Sequence, residues 1–469
     1  MDSCDTLAAG GRLGACVGAV ALVSLLAFES MAVAAAMPAI AADLDGSRAY
    51  ALASGSTVAT SMLGMVLAAQ WCDSGRLLRS TASGLAAFAF GLLLAGCARS
   101  MTLLVLGRIA QGLGSGMLEV ALFVGMGRLV PAPLHPRLFA LFSAAWVVPG
   151  MVGPFVATTL VAHLGWRSVF LLASAATPLA AVLLMPAFHR MTAPPPEAAT
   201  SRQPSRLPAA ALAMAGTLCL QGAAVDGRAW HTLAMLAIGV AAAAGSSLRL
   251  LPKGALLLRR GLPAVIGLRA LLAGAFGSAE VFIPLYLTRE KGWTLGQAGM
   301  ALSVGAVLWS VGSGVQSRID SKRARQRLLR AGFVAVAVGI AAVVVPMVLP
   351  MPASFCLAGW ALAGFGIGLC SPMMSVLTLD FSSRENQGRH AAALQFSRAF
   401  GTSAALALAG VLFALSPSDN GGFILVLVSA STLAAVGGLL IERVAAVPDR
   451  TPAAGASTPE DIADVVDLA

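Results

Sequence analysis

Glu29, Glu119, Glu280, Arg108, Arg269 and Arg398 each lie inside a stretch that otherwise carries apolar and small residues. On insertion scales a charge at the centre of a bilayer costs about 2.5–3.5 kcal/mol, so six unpaired charges would cost more than about 15 kcal/mol. They must face water or one another. Arg269, near one end of its stretch, can snorkel to the interface; Glu29 sits near the middle of its own and has no such escape. A carboxylate in a low-dielectric site holds its proton more tightly, and a nearby arginine opposes this. Acid–arginine sets inside a membrane can therefore couple proton binding to the coming and going of another solute. Structural ion pairing is the plain alternative. Arg108 and Glu119, eleven residues apart, fall about 20° apart around a helix and about 16 Å apart along it. They share a face without touching, and Gln111 lies about 60° from Arg108 on the same side. The partner of Arg108 is then water-mediated or on the first span. Arg269 and Glu280 repeat the eleven-residue spacing.

The elements that must position these groups are apolar runs of membrane-spanning length. A bilayer core of about 30 Å needs about 20 apolar residues per helix. Runs of that kind fall near 14–40, 50–71, 80–98, 101–126, 138–162, 167–187, 207–225, 231–251, 263–287, 294–316, 328–349, 353–377, 391–415 and 422–442. The chain is 58% hydrophobic and 11% charged, with mean hydropathy +0.84; a soluble domain averages about 25% charged residues. The expected class is an all-α membrane protein of two six-helix bundles with a two-helix insert. Residues 1–188 form the first bundle, 189–262 a polar linker (with Pro194-Pro195-Pro196) and two extra spans, and 263–445 the second bundle. Residues 446–469 form an acidic, Pro/Ala-rich tail of disordered composition.

The net charge of +10 does not imply a nucleic-acid partner. Arginine and lysine fall in alternate gaps between the spans at a ratio of about three to one, the positive-inside bias. The rich side is cytoplasmic, and an even span number places both termini there. The seven cysteines are scattered, with no CxxC or Cys/His spacing for a disulfide framework or metal site. The first apolar region, Ala15 to Ile40, is far longer than the 7–15 residue core of a signal peptide and is kept as a helix. Arginine-for-lysine and alanine bias point to a high-GC bacterial genome, hence to the cytoplasmic (inner) membrane. No cofactor motif, P-loop, nucleophile elbow or metal cluster is present, which argues against an enzyme and against direct ATP drive.

Several motifs resemble the major facilitator superfamily, specifically its fourteen-span drug/proton antiporters. Glu29-Ser-Met-Ala-Val-Ala-Ala-Ala-Met-Pro38 is similar to that family's first-span acid followed at fixed spacing by proline, with glutamate for aspartate. Arg108-Ile-Ala-Gln111-Gly112-Leu-Gly114 matches Arg-x-x-Gln-Gly-x-Gly of the fourth span, whose arginine the family links to proton coupling. Pro149-Gly150-Met-Val-Gly153-Pro154 is part of the fifth-span antiporter motif, Trp166-Arg167 matches the opening of the sixth, and Arg398-Ala-Phe-Gly401 resembles an Arg-x-x-Gly of span 13. The loop after span 2 keeps Asp73, Gly75 and Arg76 but is one residue short and starts at Ala69 instead of glycine. That loop latches one conformation in the family, and the departure weakens the carry-over to Asp73.

The resemblance implies proton-coupled efflux of amphipathic, drug-like small molecules by alternating access. Glu29, Arg108, Gln111, Glu119, Glu280 and Arg398 would serve proton or substrate, Gly112, Gly150, Gly153 and Pro154 hinge or packing, and Asp73, Gly75 and Arg76 the gating loop. The implied partners are a small-molecule substrate, protons and the lipid bilayer, with the protein a monomer. Two other readings stay open. One is a dedicated transporter of a single metabolite or lipid; the other is a non-transporting scaffold or receptor, for which intramembrane charges have no use. Gly112-x-x-x-Gly116 and Gly364-x-Gly366-x-Gly368 also have a simpler reading, close helix packing.

Overall fold

Inside a bilayer no water satisfies the backbone, so an apolar segment folds into a helix that closes its own hydrogen bonds. The computed structural model describes residues 12–130, 135–189, 206–223, 229–316, 322–382, 387–416 and 418–444. Within them the runs are fourteen α-helices. These are α1 (Arg12–Asp43), α2 (Tyr50–Asp73), α3 (Leu77–Gly96), α4 (Met101–Leu129), α5 (His135–Leu164), α6 (Arg167–His189) and α7 (Leu207–Gly222). Then come α8 (Ala229–Leu250), α9 (Leu262–Arg289), α10 (Leu295–Gln316), α11 (Lys322–Val348), α12 (Ser354–Asp380), α13 (Gln387–Leu415) and α14 (Asp419–Leu439). Local chemistry marks the ends: Ser100 and Ser418 cap α4 and α14 by accepting from Leu103 N and Gly421 N, and proline sits in the first turns of α7 and α9. The expected tail at 446–469 and most of the 189–206 linker lie outside the described residues.

Eleven of these helices are long and apolar enough to cross a membrane; in α5, α7 and α8 the apolar helix found is shorter, Val148–Leu164, Leu207–Gly222 and Ala234–Leu250. At 16 residues, α7 is about 24 Å long, short of a core of about 30 Å.

Helices α1–α6 pack mainly on one another, and so do α9–α14, with α7 and α8 paired beside α2 and α13. The same close approaches recur in both sets. A β-carbon on Gly112 would sit 2.2 Å from Thr57 O and one on Gly116 2.1 Å from Ser61 O, so α4 lies backbone-to-backbone on α2. Correspondingly, β-carbons on Gly364 and Gly368 of α12 would lie 2.3 Å from Gly305 O and 2.2 Å from Trp309 O of α10. Without a hydrophobic drive between helices in lipid, such glycine contacts supply the van der Waals packing that holds them.

The end of the molecule at which α1 begins is here called proximal, and the end at which it finishes, distal. Contacts between the two sets gather toward the distal end. Tyr50, buried at the start of α2, donates to Val281 O of α9 at 2.9 Å and meets Phe282 edge-on at 5.6 Å. Phe282, Phe413 and Phe423 continue that aromatic layer. Pro154 and Thr158 of α5 abut Gly299 of α10, and Gly410 of α13 abuts Ala51 of α2.

Candidate functional site

Glu29 and Arg108 are 4% and 6% exposed and form an ion pair between α1 and α4. Arg108 Nη1 donates to the Glu29 carboxylate and, at 2.9 Å, to Gln111 Oε1; its Nε donates to Ala53 O of α2 at 3.4 Å. The guanidinium fork is thus held by three helices, as a buried arginine requires. Its partner is on the first span, one of the two places the sequence left open. The Gln111 amide nitrogen is buried without a partner among the described residues.

Glu119 belongs elsewhere. Although it shares a helix face with Arg108, about three turns of α4 carry it to the seam between the two sets. There Arg398 Nη2 of α13 approaches Glu119 Oε2 at 3.7 Å, with both side chains about a third exposed (32% and 30%). This pair lies well inside both helices, proximal to the aromatic layer. Arg269 Nη1 donates to Ser371 Oγ of α12 at 2.7 Å. Its Nε is buried without a partner among the described residues. Glu280, half-buried on α9, has neither ion pair nor hydrogen bond among the described residues. One turn before it, Phe276 stacks on Trp360 at 4.5 Å and meets Trp309 edge-on at 5.6 Å. Sequence reasoning missed this aromatic wall; two tryptophans in mid-span, away from the interfacial belt where they usually collect, were the available signal.

The motif residues divide by role. Gly112 is a packing glycine. Gly153 is loosely packed, a β-carbon there meeting Phe28 Cδ2 at 3.5 Å, whereas one on Gly150 would press on Ala306 Cβ at 3.3 Å; Pro149 and Pro154 lie beside them within α5. Trp166 Nε1 and Arg167 Nη1 both donate to Asp43 Oδ2, at 2.9 and 3.3 Å, while Arg167 Nη2 donates to Ala98 O, tying the distal ends of the first set together. At the proximal end Asp73 closes α2, exposed and without an ion pair among the described residues. Gly75 turns the chain at φ +75°, Arg76 N donates to Trp71 O at 2.7 Å, and Arg128 Nη2 of α4 donates to Cys72 O at 3.2 Å. This loop is held by Arg128 on a helix C-terminus, where carbonyls favour a cation.

Site residues on both sets, a seam between them and paired charges within it make a frame for moving a solute across a membrane. Known proteins agree. A probable multidrug-efflux transporter of Mycobacterium tuberculosis is 27% identical over 378 residues, 76% of this chain and 78% of that protein. The methylenomycin A resistance protein of Streptomyces coelicolor is 27% identical over 388 residues, 80% of each. The crystal structure of a POT family transporter in complex with a thioalcohol-conjugated peptide matches with a TM-score of 0.66 over 93% of this chain and 97% of that one; at 14% identity it speaks for the fold alone. The profile of the Major Facilitator Superfamily matches residues 19–406. The chain is a multi-pass membrane transporter, not an enzyme, and it belongs to the Major Facilitator Superfamily.

Proposed function

We propose that this chain is a proton-coupled exporter of amphipathic, drug-like small molecules, working by alternating access between two six-helix bundles, 1–188 and 263–445. In this reading α7 and α8 are a two-helix insert that brings the spans to fourteen. The membrane is the bacterial inner membrane, with both termini cytoplasmic, and the protein acts as a monomer. The observation that carries the reading is the Arg398–Glu119 contact, an ion pair that joins the two sets while a third of each side chain stays accessible. At 3.7 Å it is too long for a strong charge-assisted hydrogen bond, for which about 2.7–2.9 Å is usual. A proton on Glu119 removes the attraction and frees Arg398, and the two sets can then separate proximally. Loss of that proton draws them together. Substrate bound in the seam competes for the same groups, which is how one solute's movement becomes tied to the other's.

The buried Glu29–Arg108–Gln111 cluster serves as a second, slower-exchanging carboxylate whose charge Arg108 balances. Glu280, beside the aromatic wall, is the group left to meet a cationic part of a substrate, since cations bind well over aromatic faces.

Dye efflux from proteoliposomes with and without an imposed pH gradient tests this. Glu119→Gln keeps the shape and removes the proton site, and is expected to abolish gradient-driven efflux while substrate binding to the purified protein stays within about threefold. Gradient-driven efflux at the wild-type rate in Glu119→Gln would remove Glu119 from coupling.

A further inference from the structure

We propose that a pocket at the proximal end, between the α8–α9 connection (residues 251–261) and the 3₁₀ turn after α14 (Ile441–Val444), holds the headgroup of an anionic phospholipid. The cavity is about 390 Å³ and is lined by Arg259, Arg260, Arg443 and Glu442, with Leu257 and Leu439 at its edge. It lies apart from the charges of the transport seam, and the proposal does not depend on what is transported.

The pocket is built rather than incidental. Gly254 and Gly261 take φ of +89°, and Leu258 is held at φ +50°, a left-handed conformation that a β-carbon disfavours. Backbone bonds hold that shape: Arg259 N donates to Gly254 O at 3.0 Å, and Gly261 N to Arg443 O at 2.9 Å. Arg443 Nη1 donates in turn to Leu257 O at 3.0 Å, locking the connection to the end of α14. The aliphatic stem of Arg259 lies against Gly254, where a β-carbon would come within 2.6 Å of Arg259 Cδ.

Charge and polarity then select the occupant. The one acid in the wall, Glu442, already accepts from Arg330 Nη2 at 3.0 Å. Neither Arg259 nor Arg260 has a carboxylate partner among the described residues. The positive-inside bias explains why arginines are at this end; it does not explain three of them around one fixed cavity. Phosphate oxygens match the planar arginine fork. Leu257 and Leu439 are 67% and 80% exposed immediately beside those guanidiniums. A cationic cradle with exposed leucines at its lip fits a molecule with an anionic head and an apolar body, and basic pockets of this kind between membrane helices bind lipid headgroups.

The test is native mass spectrometry of the full chain with added phosphatidylglycerol, phosphatidylcholine or glycerol 3-phosphate. Phosphatidylglycerol should be retained and the other two not. Each arginine near an anionic lipid surface contributes on the order of fivefold to binding. Arg259→Gln/Arg260→Gln/Arg443→Gln should therefore weaken retention by on the order of 100-fold. Arg443 also holds the connection in place, so Arg259→Gln/Arg260→Gln, which leaves that bond intact, should still weaken retention by roughly 25-fold at an unchanged melting temperature. Arg79→Gln/Arg206→Gln, removing equal charge elsewhere at the same end, should change it less than about twofold. Equal loss in that control would reduce the effect to general surface charge and overturn the proposal. Comparable binding of glycerol 3-phosphate would assign the pocket to a soluble anion. Lipid retention only after removal of residues 448–469 would assign it to the chain's own acidic tail. Either result would overturn the proposal as well.

Discussion

Arg108 touches three helices through one guanidinium, and its buried contact with Glu29 sets what substitution there can report. Removing one member of a buried pair leaves an uncompensated charge at a cost of about 3–5 kcal/mol. Glu29→Gln and Arg108→Ala are each expected to lower the melting temperature of the purified protein and to uncouple efflux from the pH gradient. The double variant Glu29→Gln/Arg108→Gln removes both charges, and should recover most of the lost stability without recovering coupling. A double-mutant cycle on thermal stability, paired with gradient-driven efflux, separates the two effects. If the double variant regains coupling along with stability, the pair is a structural tie and no more.

At the scale of elements, glycine in α4 and glycine in α5 do different work. A methyl at Gly112 must enter the space of Thr57 O, so Gly112→Ala is expected to push α2 from α4 and cost about 1–3 kcal/mol, as overpacking does. A methyl at Gly153 meets nothing closer than 3.5 Å. Gly153→Ala should therefore keep the wild-type melting temperature; if α5 bends there during transport, it should still slow efflux several-fold. Melting curves and efflux rates on the same two preparations check both statements. The α7–α8 pair has its own anchor. Gln221 of α7 donates to Ser403 Oγ of α13 at 2.8 Å and to Ser403 O at 3.2 Å, inside the seam where α2 and α13 meet. Gln221→Ala leaves that hydroxyl without its donor, a loss on the order of 1–3 kcal/mol, and is expected to change the rate of conformational exchange more than substrate affinity.

For the whole molecule, distal closure and topology can be tested independently of substrate. Ala51 of α2 and Gly410 of α13 stand close enough that a shift of about 1 Å would suit a disulfide, whose β-carbons lie about 3.8 Å apart. In a cysteine-free background, Ala51→Cys/Gly410→Cys should stop efflux on oxidation and regain it on reduction. Efflux that continues with the bond formed would show that these surfaces never part. Impermeant thiol reagents applied to intact cells should label Arg48→Cys and leave Arg206→Cys unlabelled; the reverse result inverts the topology. The fourteen helices were legible because apolar length and local capping are properties of contiguous residues, and the observed ends fall within a few residues of the expected ones. The six charges were legible because a charge within an apolar run must face water or another polar group. Their pairing was not. Arg108 and Glu119 share a face of one helix, yet about 16 Å of axial rise delivers one to Glu29 and the other to Arg398, 279 positions further along the chain. Likewise, Arg259 and Arg260 stand far from Arg443 along the chain. Only the contact between the α8–α9 connection and the end of α14 gathers them around one cavity. Sequence alone determines which segments form apolar helices, since transfer free energy sums over neighbours along the chain. Which charge meets which depends on helix packing between distant segments, and that the tertiary structure decided.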